Sequence, residues 1–105
     1  MQRLLITLAL ATVATAALAQ EGDPKKGAEF VEKNCTGCHA VQPGQNASPL
    51  HTAPSFTAVA NSPGMTSIAL TAFFRTSHKN MPNFIIASKD IEDINAYILS
   101  LKEKK

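Results

Sequence analysis

Cys35-Thr36-Gly37-Cys38-His39 is the stretch on which the reading of the fold turns. Its two thiols lie about one helical turn apart and an imidazole follows at once, so three ligating groups are gathered in one short segment. These are the only two cysteines in 105 residues, which excludes a cysteine-framework mini-protein. A structural zinc site takes four ligands, and outside the motif the chain offers no second cysteine pair, only His51 and His78 at unconvincing spacing. A thioredoxin-type C-x-x-C follows a strand in a βαβ unit, and no segment here alternates as a strand. A Cys35–Cys38 disulfide would close a tiny loop and add little stability.

C-x-x-C-H is the attachment signature for haem c. Each thiol adds across a vinyl group of the macrocycle, and His39, the next residue, is carried beneath the iron as an axial ligand. The rest of the chain favours such a group. A domain of this size buries only about 60 to 65% of its unfolded surface and commonly needs a metal, a disulfide or another core-filling element. The chain has no Trp, one Tyr and five Phe, so something else should fill the middle.

Upstream, residues 1–20 read MQRLLITLALATVATAALAQ, with one positive charge at Arg3, an apolar run of about 15 residues and the small pair Ala17 and Ala19 before Gln20. That run falls short of the roughly 20 residues a bilayer span needs. The expectation is a cleaved secretory signal peptide over residues 1–19 and a single domain over 20–105, located in the periplasm without stable membrane insertion. Loss of Arg3 reduces a formal net charge that is only +2, so the broad basic field that nucleic acid requires is absent.

Downstream, Asp23 and Pro24 signal a helix start, with Phe30 and Val31 on its apolar side, running to Asn34. From Ala40 to Met65 four prolines and two glycines mark a long loop, with a short helical turn near Ser55 to Val59. A loop of that length in so small a domain wraps something or functions. A second helix fits Thr66 to Thr76, with Ala69, Leu70, Phe73 and Phe74 as its buried side, and ends before the His78-to-Pro82 segment. In the last helix Ser88 is the expected cap, Asp90, Glu92 and Asp93 suit the positive end, Lys102, Lys104 and Lys105 suit the other, and Ile91, Ile94, Ile98 and Leu101 form one stripe beside Tyr97. The expected class is all-α.

With these residues in this order the chain resembles the small, soluble class I c-type cytochromes of bacterial periplasms. The resemblance spans the mature chain through Gly27 and Phe30, CTGCH at 35–39, Ala-Pro-Ser-Phe at 53–56, Asn-Met-Pro-Asn-Phe at 80–84 and the terminal helix with Tyr97. Ala53 departs from it, since many relatives carry glycine there. The resemblance implies a cytochrome c-like fold, with first and last helices crossing at Gly27, Phe30 and Tyr97 and long loops wrapping one covalent haem c held by Cys35 and Cys38.

The second axial ligand is expected to be Met81, in a loop where Pro82 imposes an extended approach, the family's Met-Pro context. Without the haem motif Met81 would read as a soft core filler. Met65, His51 and His78 are the other candidates. By resemblance the Pro54 carbonyl accepts from the second ring nitrogen of His39. Filled axial positions leave one-electron cycling, an electron carrier and not an enzyme. Phe56, Phe73, Phe74, Phe84 and Ile94 are the expected apolar shell. The implied partners are redox proteins in transient contact with a monomer, such as membrane cytochrome complexes, oxidases or periplasmic dehydrogenases, with Lys33 and Lys79 available for steering. Two alternatives stand beside it: a dedicated electron-accepting subunit of a periplasmic dehydrogenase, and a sensor or peroxidase-type protein with an open iron.

Overall fold

The computed structural model describes residues 11–12, 22–78, 80–82 and 85–104. The expected signal peptide, apart from Ala11 and Thr12, lies outside the described residues, as do Lys79, Phe84 and Lys105. Four helices follow in order: α1 (Pro24–Asn34), α2 (Phe56–Ala60), α3 (Ser67–Phe74) and α4 (Ser88–Ser100). No strand occurs among the described residues, and the only extended pairing there is an isolated antiparallel bridge between His78 and Met81. The chain is all-α, and no described helix is long and apolar enough to cross a membrane.

Local chemistry accounts for the helix starts. The Asp23 carboxylate accepts from the Lys25 amide, with Pro24 at the first helical position. Ser55 caps α2 and Thr66 caps α3 in the same way. At α4 the outcome differs from expectation: the cap position is Ala87, which has no side-chain bond to give, and Ser88 is already the first helical residue. Its hydroxyl instead accepts a 2.7 Å hydrogen bond from the Arg75 guanidinium. The helix also ends at Ser100, so no lysine reaches its last turn; Lys102 donates to the Met65 carbonyl at 2.7 Å.

Helix α4 is the hub, packed against α1, α2 and α3. Its stripe of Ile91, Ile94, Ile98 and Leu101 is buried, and around it Val31, Val41, Phe56, Ala60 and Leu70 close a small core. The α1 crossing is set by Gly27, where an added Cβ would lie 2.0 Å from the Asp93 carbonyl oxygen and 2.9 Å from the Tyr97 Cβ. Only a residue without a side chain permits backbone to meet backbone there. Tyr97, buried beside this contact, donates its hydroxyl to the Val41 carbonyl.

Asp93 is buried at the same crossing, which its reading as an end-of-helix acid does not anticipate. It accepts from the Asp23 amide at 2.8 Å and from Lys89 at 2.7 Å, so one carboxylate ties the start of α1 to α4. The Lys89 hydrogen bond and the Asp23 amide hold the Asp93 carboxyl below its ordinary value, and the bond to Asp93 raises Lys89. Burial of α3 is correspondingly incomplete: Leu70 is enclosed, but Phe73 is 54% exposed and Phe74 half-buried, so the expected buried side is only partly so.

Gly27→Ala should destabilise the domain by about 3 kcal/mol, the upper end of overpacking costs, because the opposing atoms are backbone and cannot turn aside; a denaturant titration measures it. For Asp93, a depressed carboxyl contributes stability that is present above the ordinary carboxylate range and lost as pH falls through the depressed value. Thermal midpoints measured down the pH scale should therefore fall below about pH 4, and Asp93→Asn should flatten that slope.

Candidate functional site

The CTGCH segment begins where α1 stops. The Cys35 amide completes the helix by donating to the Val31 carbonyl at 2.9 Å, and the Cys38 and His39 amides both turn back to the Cys35 carbonyl at 3.3 and 2.9 Å. The motif is thus one further turn of chain fastened to a helix that is itself fixed against α4. Its exit is held too: the Ala40 amide donates to the Ser48 hydroxyl at 3.0 Å, and the Phe56 amide donates to the Ala40 carbonyl at 2.9 Å.

His39 Nδ1 lies 2.7 Å from the Pro54 carbonyl oxygen. A carbonyl only accepts, so Nδ1 carries the proton and Nε2 keeps the free lone pair. The Phe56 ring, tilted 44° with its centroid 5.0 Å away, flanks the imidazole. The turn before Pro54 closes through the Ala53 amide and the Leu50 carbonyl at 2.9 Å, and Ala53 is not in the left-handed region. Alanine at that position therefore costs the turn nothing.

Cys35, Cys38 and His39 line a cleft of about 700 Å³, and both cysteines are free thiols. Burial pushes the Cys35 thiol up to about 11, helped by the neighbouring Cys38, so it stays protonated. Other walls of the cleft are apolar, among them Phe30, Phe56, Leu70, Phe74 and Ile98. Met81 lines it as well, half-buried, on a turn in which Asn80 adopts φ 68° and the Met81 amide meets the His78 carbonyl at 3.4 Å. Asparagine is one of the few residues that accepts that backbone conformation.

The remaining candidates separate by position. His51 is exposed and does not line the cleft. His78 does line it, stacked on Phe73 with ring centroids 5.1 Å apart, and Met65 lines it too. Of the expected apolar shell, Phe56, Phe73 and Phe74 line the cleft, whereas Ile94 does not: it is fully buried in the helical core behind. Phe30, read as part of the helix crossing, packs against the core cluster that contains Ile94, Tyr97 and Ile98 and also lines the cleft. The departure of Ile94 comes from the rotation of α4, which turns that residue to the helical core.

These residues fit haem. The cleft lies within the usual volume range for bound cofactors, about 300 to 1,000 Å³, and its walls are apolar, as a flat hydrophobic macrocycle requires. Thiols, imidazole and thioether are also the donor chemistry of haem proteins. Among the described residues no group of three or more His, Cys, Asp or Glu side chains could hold a bare metal ion, which leaves a zinc site without ligands.

A family model described as cytochrome C oxidase, cbb3-type, subunit III matches residues 22–98, nearly all of the helical domain. No curated protein and no solved structure matches the chain.

Proposed function

Since the chain belongs to the family of c-type cytochrome domains described as cytochrome c oxidase, cbb3-type, subunit III, we propose that it is a periplasmic one-electron carrier with one haem c, held through Cys35 and Cys38 and bound axially by His39 and Met81. Membership itself implies a covalent haem c and haem-based electron transfer, with redox proteins as partners. The observation that supports the finer reading is a single apolar cleft lined by both thiols, by His39 and by Met81.

The bound haem supplies the Fe(III)/Fe(II) couple. The chain's residues set the conditions under which that couple works. His39 offers Nε2 because Nδ1–H donates to Pro54, and that bond makes the imidazole a stronger donor while fixing its plane. Phe56 packs on the ring and keeps it from rotating. The Met81 thioether, a soft ligand, favours the reduced state. Leu70, Phe74 and Ile98 exclude water from the cleft and so disfavour the additional positive charge of the oxidised state. At the rim, Leu50, Phe73 and Ile85 are exposed apolar side chains that line the cleft and suit a brief contact with a redox partner. The family's description as an oxidase subunit supports a second reading, a lasting place in a complex.

Two measurements test the proposal. Met81→His should lower the reduction potential by on the order of 100 mV or more, a fraction of the ~0.8 V that axial ligands span; an unchanged potential means that Met81 is not a ligand. The ferrous wild-type protein should bind carbon monoxide poorly, and facile binding would point to an open iron and hence to sensing or catalysis.

A further inference from the structure

We infer that Asn95 is a positioning residue for the haem cleft: from within α4 its side-chain amide fixes the rotation of α3, and through it the apolar wall that α3 presents to the cofactor; this rests on the reading of the cleft as the haem site. Asn95 itself does not line the cleft, so it acts only through the helix it holds.

Apolar burial alone does not place α3. Its sequence, SIALTAFF, carries apolar residues all round the helix, so the hydrophobic effect favours no single face. Leu70 is its one buried side chain, Ile68 and Phe73 are exposed, and among the described helices α3 packs on α4 alone. Eight residues are also too few to hold a helix unaided. What α3 turns toward Asn95 is its polar pair, Ser67 and Thr71, one turn apart on one face.

The partner of that pair is a buried amide. Asn95 is only 2% exposed, and its Nδ2 lies 3.2 Å from the Ser67 carbonyl oxygen, 3.1 Å from the Ser67 hydroxyl and 3.0 Å from the Thr71 hydroxyl. A carbonyl only accepts, so the nitrogen faces α3, and Asn95 Oδ1 is left without a partner among the described residues. An enclosed polar atom with no partner costs stability that an apolar side chain of similar size would not. Every bond the amide makes goes to one turn of α3. Leu70 and Phe74 lie three residues on from Ser67 and Thr71 respectively, about 60° round the same helix, and both line the cleft. Holding the polar pair against Asn95 therefore aims Leu70 and Phe74 at the cofactor, and their exclusion of water bears on the balance between ferric and ferrous haem.

The test is a redox titration of the full chain with haem attached, beside a denaturant titration of the same samples. Asn95→Leu keeps the size of the side chain and removes its donors. Poised at the wild-type midpoint, its ratio of ferrous to ferric protein should fall about threefold, a small step on the range that exposure and hydrogen bonding give haem potentials. Thr71→Val, which leaves both Ser67 acceptors, should move the ratio the same way by less, and the double variant should go no further than Asn95→Leu alone, because both remove the same link. Thr71→Ser, which keeps the hydroxyl, should hold the wild-type ratio. Throughout, the optical spectrum should keep its wild-type ligand bands, since neither residue touches the iron. A wild-type ratio in both single variants, whatever their stability in denaturant, makes Asn95 a packing residue and overturns the inference while leaving the haem reading in place; so does a double variant whose shift is the sum of the two. A chain that attaches no haem overturns it through the cofactor itself. Thr71 is only half-buried, so Thr71→Val is expected to fold and decides the test even where Asn95→Leu does not.

Discussion

Backbone contact at Gly27 is the constraint from which the rest of the molecule follows. Once α1 and α4 touch without a side chain between them, the end of α1 is fixed, and CTGCH is simply the next turn of chain. The same crossing is reinforced on both sides of the motif. Upstream, Asp93 holds the Asp23 amide at the start of α1; downstream, Tyr97 reaches past the motif to the Val41 carbonyl. One helix, α4, therefore supplies the partners for segments before and after the thiols, and the site inherits its position from the most tightly packed part of the protein.

What that crossing cannot do is fill the domain. Ile94 and Ile98 anchor a core of short aliphatic side chains, and the aromatic residues lie mostly elsewhere: Phe30, Phe56, Phe73 and Phe74 all border the cleft. In a chain this small, an apolar cleft of about 700 Å³ is a large part of the interior. The membership of the chain in a c-type cytochrome family gives that space its occupant, and the half-exposed Phe73 and Phe74 its reason. The cofactor is at once the redox centre and the missing core, which is why stability and function are difficult to separate here.

Features governed by near neighbours were legible in the residues. Asp23 and Pro24 start α1 as expected, the short helix follows Ser55, α3 begins at the expected Thr66, and the Ile91, Ile94, Ile98 and Leu101 stripe is buried. Features governed by distant partners were not. Nothing local reveals that Ser88 would turn to Arg75 and leave Ala87 at the cap, or that Asp93 would be buried under two hydrogen bonds. Helix rotation has the same character: Ile94 reads as cleft and belongs to the core, and Phe30, read only as crossing, also lines the cleft. The helical spacing of Lys89 and Asp93 was the available signal, but an i, i+4 pair alone looks like an ordinary exposed face.

The central claim is that Met81, which lines the same cleft as the thiols and His39, is the iron's second ligand. Proton NMR of the reduced, haem-loaded protein tests it most directly, because a methyl group held on the axis of a diamagnetic macrocycle is moved far upfield by the ring current. The account predicts one such three-proton line, assigned to Met81 by its loss in Met81→Ala. An upfield methyl that belongs to Met65, or no upfield methyl at all, would contradict it.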